Sequence, residues 1–520
     1  MPTRLPGAPR IRPIISAPRR ATFATSLQAD AAIVAGAVMA GFRRDAGTTG
    51  GADDPGSTTG TDGSAVALMA RRPVWQRRSA RFRHPAQVIS VGFGAAIALG
   101  TGLLSLPVAT QSQQRAPLVD ALFTATSAVC VTGLATVDTG SYWSLFGQVV
   151  ILLLIQAGGL GIMTVATLFT VLVSRRLGLR ARFLAQAETK SLDLTDVRGV
   201  VRRIVLFSLA AESVVAVALT LRFAVGHGEA LGPAAYHGVF HAVSAFNNAG
   251  FSTNTDSLVG YVTDPWITLT ISGAVILGGL GFPVVFELAR CWRRPATWSV
   301  MTRLTVTLTA TLLVLGTVVL TLTEFTNPTT LGPLSGPEKL LAGFFASTMT
   351  RTAGFNSLDI GAMRPESLLA SDVLMFIGGG SAGTAGGIKV TTFGLLAFVL
   401  WSEMRGETHV HVGKRRIPAG NQRQALAVAL LSVGAVVVAT FTLVAITPHG
   451  LDQALFEVVS AFATVGLSTG ITGSLPPQAD LLLVVLMFAG RIGPLTLASA
   501  LALRERTRRF ELPEERTIVG

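Results

Sequence analysis

Cysteine is nearly absent from this chain. Only Cys130 and Cys291 occur in 520 residues, which excludes a disulfide framework and a cysteine-based metal site. Charge is scarce too, at 14% Asp, Glu, Lys and Arg, and lysine is almost missing: positions 190, 339, 389 and 414 hold the only ones among 42 basic residues. With so little charge and 50% hydrophobic residues, the chain is too apolar for a water-soluble protein of several domains, and a membrane protein is expected. Catalytic signatures are also lacking. There is no H-E-x-x-H and no pair of aspartates inside an apolar run, which argues against a membrane enzyme.

What the chain has is apolar length. Crossing a hydrocarbon core takes about 20 residues, and eight runs qualify: 86–107, 144–173, 204–225, 265–290, 305–323, 371–401, 424–446 and 480–503. Within each successive pair lies a shorter helix-compatible stretch (118–130, 235–247, 338–350, 452–463). Such lengths suit re-entrant helices, which enter the membrane and turn back.

The net charge of +13 would ordinarily raise nucleic-acid binding, but its distribution argues otherwise. Arginine concentrates in the connections between pairs: Arg175, Arg176, Arg180 and Arg182, then Arg290, Arg293 and Arg294, then Arg405, Lys414, Arg415 and Arg416, and finally Arg504, Arg506, Arg508 and Arg509. The opposite face holds Arg115, Arg222, Lys339, Arg351 and Arg364 amid more numerous acidic residues. By the positive-inside rule both termini are expected in the cytoplasm of a multi-pass cell-membrane protein. Residues 1–84, with the low-complexity run 47–63, cannot bury a core and are expected to be disordered. An organelle transit peptide is one account of that Arg-rich start; a plainer one is that Met69 is the true start.

Each short helix runs into a glycine: Gly133, Gly250, Gly354 and Gly466. Ten residues before each stands Phe123, Phe240, Phe344 or Phe456, and six before stands Ser127, Ser244, Thr348 or Ser460. A large apolar residue follows: Leu134, Phe251, Phe355 or Leu467. One structural unit is thus used four times. A cation losing its hydration shell needs several oxygens at once, which backbone carbonyls supply. Aiming them at one axis requires positive φ, which glycine reaches at little cost. The candidate filter segments are Val131-Thr132-Gly133, Asn248-Ala249-Gly250, Thr352-Ala353-Gly354 and Thr464-Val465-Gly466. They contain no carboxylate ring, which disfavours a calcium-type filter.

Here the residues resemble a known family. DALFTATSAVCVTGLATVDTG (120–140), RTAGFNSLD (351–359) and FIGGGSAGTAGGIKVTT (376–392) are similar to the Trk/Ktr/HKT superfamily of potassium transporters, over about residues 85–505. Lacking two extra N-terminal spans, the chain is most similar to the ion-translocating subunit of Ktr systems. The resemblance implies an all-α membrane protein, with eight transmembrane helices and four re-entrant pore helices in four pseudo-symmetric repeats around one pore. The repeats fall at 85–178, 200–292, 303–402 and 423–505, with a tail at 506–520. It also implies K+ as substrate, no cofactor bound by this chain, a homodimer, and a cytoplasmic KtrA/TrkA-like ring that binds the nucleotide. The basic loops 174–203 and 405–423 and the tail 504–520 are the surfaces available to that ring. Intact Gly133 implies potassium over sodium, because in the plant branch a serine there accompanies sodium transport. Sodium-dependent symport is one form such uptake takes. Gly383 departs from the serine expected in many relatives.

The second span of each pair carries a glycine cluster: Gly158-Gly159-Leu160-Gly161, Gly278-Gly279-Leu280-Gly281, Gly378-Gly379-Gly380 and Gly490-Arg491-Ile492-Gly493. Close helix packing accounts for the first two. The third extends through Ser381, Gly383, Thr384, Gly386 and Gly387, and so many glycines, each costing about 1 kcal/mol against alanine, should break a helix. Broken backbone at membrane depth must meet protein or water, so a mobile loop is expected beneath the filter; the resemblance makes it an intramembrane gate. Its G-x-G-x-x-G match at Gly378, Gly380 and Gly383 lacks the strand of a dinucleotide site.

Lys389 and Arg491 are cations within spans and need partners. Arg491 is expected to face the pore or an acidic partner, and by resemblance it impedes ion flow below the filter. Lys389 belongs to the gate or snorkels to the surface. Glu212 is a counter-ion or a structural acceptor. His237 and His241 have a metal-like i, i+4 spacing but no further ligands nearby. The function expected is potassium uptake. A secondary transporter of another small solute is disfavoured because the interruptions are short re-entrant helices rather than broken spans; a less selective sodium/potassium channel is the other alternative.

Overall fold

The computed structural model describes residues 85–176, 197–407, 409–413 and 415–493. The expectations for residues 1–84 and Met69, for most of the basic loop 174–203, for Lys414 and for the tail lie outside the described residues.

Fourteen helices carry the described fold, in four groups. The first is α1 (Pro85–Leu104), α2 (Leu118–Cys130) and α3 (Leu145–Arg176); the second is α4 (Val197–Leu221), α5 (Leu231–Phe246), α6 (Pro265–Leu280) and α7 (Phe282–Cys291). The third is α8 (Val300–Glu324), α9 (Gly336–Met349), α10 (Pro365–Phe376) and α11 (Val390–Met404), followed by a hairpin of β1 (His411–Val412) and β2 (Arg415–Arg416). The fourth is α12 (Ala419–Ile446), α13 (Leu451–Ala463) and α14 (Pro477–Ile492). The short helices α2, α5, α9 and α13 match the re-entrant stretches expected from the sequence to within a few residues.

Local chemistry sets the helix starts. Asp264 caps α6, accepting from Trp266 N at 3.0 Å, with Pro265 at the first helical position. Ser299 caps α8 through Thr302 N at 3.2 Å, and Ser335 and Glu338 form a capping box on α9.

In the first, second and fourth groups the first helix and the helix after the turn both pack on the short helix, as α1 and α3 do on α2, whereas in the third α8 packs on both α9 and α10. Between groups, the helix after each turn packs on the next short helix: α3 on α5, α6 on α9, α10 on α13, and α14 back on α2. The four groups therefore close a ring. Phe123, Phe240 and Phe456 are fully buried in it, as are the residues after the glycines, Leu134, Phe251, Phe355 and Leu467. Group three differs, since Phe344 is half-buried and its neighbour Phe345 fills the core.

Two of the expected spans are not single helices. The stretch 371–401 is α10 and α11 separated by residues 377–389, as the glycines predicted. The stretch 265–290 bends by 102° at Gly281, whose φ is +91°. Packing does not exhaust the role of the second cluster: its last glycine turns the chain ahead of Pro283, and Gly493 (φ +93°) likewise stands at the end of a helix, capping α14. By length and apolarity four helices among the described residues suffice to cross a membrane, or five with the bent pair. Helix length alone therefore does not establish the eight spans expected. α1 is described only from Pro85, α10 and α11 are parted by the loop, and α14 is described only to Ile492.

Candidate functional site

All four glycines take positive φ: +92° at Gly133, +71° at Gly250, +76° at Gly354 and +96° at Gly466. They also face one another in sequence order. A Cβ placed on Gly133 would come closer than 3.0 Å to the carbonyl oxygen of Ala249, and one on Gly250 to that of Ala353. One on Gly354 would meet Val465 O, and one on Gly466 would meet Thr132 O. The chain of approaches returns to its start, so the four turns form a closed ring and the carbonyls of Thr132, Ala249, Ala353 and Val465 lie within it. No side chain fits at these glycines without displacing backbone.

The sequence pattern missed a second strained position. Val131, Asn248, Thr352 and Thr464, each two residues before its glycine, also have positive φ, between +50° and +65°. Each such non-glycine residue costs about 1–2 kcal/mol, and the surroundings hold it in place. Thr132 N donates to Ser127 O (2.8 Å), Ala249 N to Ser244 O (2.7 Å) and Val465 N to Ser460 O (2.8 Å). The hydroxyl residues marked in the sequence act here too: Gly133 N donates to Ser127 Oγ at 3.0 Å and Gly466 N to Ser460 Oγ at 3.1 Å. Ser244 instead donates to Phe251 O, and Thr348 to Phe344 O within its own helix. Only Asn248 among the four strained residues is of a type that favours this conformation.

On one side the ring opens into a cavity of about 320 Å³, lined by the glycines and by residues just beyond them, including Asp138, Ser252, Asn356 and Ser468. On the other lies the loop 377–389. Gly378 N donates to Ile388 O (2.8 Å) and Val390 N to Gly379 O (3.0 Å), closing the loop's neck. Gly380 N and Thr384 N donate to the carbonyls of Gly279 and Gly278, and Phe282 N to Ala382 O, so the bend in the second repeat is the loop's seat. Thr384 Oγ1 donates to Asn248 Oδ1 at 2.8 Å, directly beneath the second filter segment. Gly386 packs against Thr464, where a Cβ would strike the threonine hydroxyl and Ala463 O. Gly383 lies where a Cβ would approach Gly279 O, Gly278 O and Gly281 N to 3.0 Å or less; the serine expected from relatives does not fit this arrangement.

The cations close the assembly. Arg491 is buried, with one guanidinium NH₂ donating to Thr384 O and the other reaching Gly158 O at 3.5 Å. It bonds carbonyls rather than the acidic partner held open by the sequence, and it ties the fourth repeat to the loop and to the first. Lys389 Nζ donates to Ala385 O, so it braces the loop. Glu212 accepts from Gln156 Nε2 (3.0 Å) and Asn247 Nδ2 (3.1 Å), which makes it a structural acceptor behind the second filter segment. His241 is buried and bonds His237 O and Ser252 Oγ, and no cluster of metal-ligating residues occurs among the described residues.

Arg351 is a correction. Counted from the sequence among residues of the outer face, it is buried, and its guanidinium donates to Gly378 O at 2.9 Å at the head of the loop. Its place immediately before a filter segment was the available signal. The hydroxyls of Thr132, Thr352 and Thr464 are buried around the ring without a protein partner, which suits a pathway whose occupant is an ion or water.

An apolar helical chain closing four helix–turn–helix units on one axis is a membrane transport protein, not an enzyme. A family model described as cation transport protein, TrkH, matches residues 61–509, and the chain belongs to that family. The Ktr system potassium uptake protein B of Bacillus subtilis (strain 168) is 41% identical over 425 residues, 81% of this chain and 94% of its own length. The protein of the same name from Vibrio alginolyticus is 38% identical, covering 86% of this chain and 97% of its own. The potassium/sodium uptake protein NtpJ of Enterococcus hirae is 34% identical, covering 86% and 100%. The crystal structure of the potassium transporter TrkH from Vibrio parahaemolyticus shares the fold, with a TM-score of 0.65 at 18% identity over 84% of this chain and 88% of that one.

Proposed function

We infer that this protein takes up potassium across the cell membrane as the translocating subunit of a Ktr/Trk-type system. The closed ring of four glycines is the observation that carries this function. In it the carbonyls of residues 131–132, 248–249, 352–353 and 464–465, with those of the glycines, replace the hydration shell of K+. Beneath it the loop 377–389, held by Arg491, Arg351 and Lys389, is the gate. Eight spans and four re-entrant helices, in repeats at 85–178, 200–292, 303–402 and 423–505, form the pore. The arginine distribution supports cytoplasmic termini, with the 320 Å³ cavity as the outer mouth. Relatives named as Ktr system proteins support partners from such a system, and the partners we propose are a second copy and a cytoplasmic nucleotide-binding KtrA/TrkA-like ring.

Growth at low potassium of a bacterium lacking its own uptake systems tests this function. Rescue is the expected result; failure with the protein present in the membrane contradicts it. A second reading, transport of sodium as well as potassium, is favoured by the relative named for both ions. Competition of rubidium uptake by sodium separates the two.

A further inference from the structure

The second and fourth repeats share a hydrogen-bonded relay that the first and third lack. Nine residues before their glycines stand His241 and Glu457, each fully buried on its pore helix. Two residues after stand Ser252 and Ser468, both lining the outer cavity. Ser468 Oγ–H donates to Glu457 Oε1, joined there by Thr469 N at 3.1 Å, while Thr472 Oγ1 donates to Oε2 at 3.0 Å. His241 Nδ1 faces His237 O at 2.8 Å and must carry the proton, which leaves Nε2 to accept from Ser252 Oγ at 3.0 Å. Each serine oxygen then accepts a backbone N–H two residues on: Asn254 N at 3.0 Å and Gly470 N at 2.9 Å. The same relay is thus built from an imidazole in one repeat and a carboxylate in the other. In the first repeat the corresponding residues are Thr124, whose buried hydroxyl has no partner, and Ala135; in the third they are Phe345 and Asn356. Since the ring runs through Gly133, Gly250, Gly354 and Gly466 in order, the two braced repeats stand diagonally opposite.

We propose that His241–Ser252 and Glu457–Ser468 are positioning pairs that fix the outer limbs of two opposite filter segments and thereby set ion discrimination; the other two limbs are held differently, the first by Thr136 Oγ1 donating to Asp120 Oδ1 at 2.9 Å and the third by Asn356 N donating to Ser257 Oγ at 3.3 Å. This rests on the filter function given above. A limb that stays at one height keeps its carbonyls at the distance that suits K+. A limb released from its pore helix accommodates smaller or more hydrated ions.

The test measures rubidium uptake, its inhibition by sodium, and the amount of protein in the membrane, for Ser468→Ala, Glu457→Leu, Glu457→Gln and His241→Phe, with Gly466→Ser alongside. Loss of one such bond corresponds to about a threefold to tenfold rise in rubidium KM, with a matching gain in sodium inhibition and little change in maximal rate per transporter. Glutamine still accepts from Ser468 and Thr469, so Glu457→Gln recovers most of the loss seen in Glu457→Leu. His241→Phe places at this position the residue type that the third repeat carries at Phe345. KM and sodium inhibition that stay unchanged while only protein amount falls, or a Glu457→Gln as impaired as Glu457→Leu, overturn the proposal. If Gly466→Ser also leaves discrimination unchanged, the filter function fails and the brace fails with it. If the glycine variant shifts discrimination and the others do not, the brace alone is refuted.

Discussion

Replacing Arg491 should increase transport. The guanidinium is buried, makes one close bond to Thr384 O and a long one to Gly158 O, and stands beneath the ring at the point where the loop meets the first and fourth repeats. A hydrogen bond from a charged donor contributes about 1.5–3 kcal/mol; the 3.5 Å contact to Gly158 adds little. If that bond is made only with the loop seated, its loss multiplies the open population by about tenfold to a hundredfold, up to saturation. Removing a positive charge from below the ring also favours cation entry, so both effects act in one direction. The assay is initial rubidium uptake into vesicles at matched protein density for Arg491→Ala and Arg491→Lys. Alanine should give the larger increase. Lysine keeps the charge and loses the two-armed geometry, and should fall between. Uptake that is unchanged or lower in both, with the protein intact, would refute the gate.

Three further outcomes follow from the same contacts. Arg351→Gln should release the head of the loop from the third filter segment and raise uptake severalfold, a smaller effect than at Arg491 because the neck bonds at Gly378 and Val390 remain; vesicle uptake checks it. Gly383→Ser should unseat the loop from the bend at Gly281 and lower the temperature of thermal unfolding while raising uptake, whereas a silent substitution would contradict the close packing. Burial alone would raise the Asp264 carboxyl, but bonds from Arg222 and His227 and from the amides of Ile267 and Trp266 together hold it below its ordinary 3.8. A depressed carboxylate stabilises above its unfolded value and loses that contribution as pH falls through the folded one. Thermal stability should therefore drop only at acid pH, below about 4, and Asp264→Asn should flatten that drop.

The sequence made the ring legible because its chemistry demands one residue type. Only glycine fits where Gly133, Gly250, Gly354 and Gly466 meet the next carbonyl, and a fourfold repeat of that requirement stands out. The helix break at 378–387 was legible for the same reason. The bend at Gly281 was less so, since a single glycine before Phe-Pro resembles the small-residue packing that membrane helices use widely. The supporting positions of Arg351 and Glu457 were missed because they depend on partners distant in sequence, and the strain at 131, 248, 352 and 464, residues already placed in the filter, because valine and threonine do not advertise such backbone angles. Acidic character in a short apolar helix was the signal available at Glu457, and a basic residue immediately before a filter segment was the signal at Arg351.

Anomalous scattering from crystals grown in rubidium tests the central claim most directly. The account predicts a rubidium ion on the axis of the ring, level with the carbonyl oxygens of Thr132, Ala249, Ala353 and Val465, and its displacement by potassium. An empty ring in protein that transports rubidium, with the ion bound elsewhere, would contradict it.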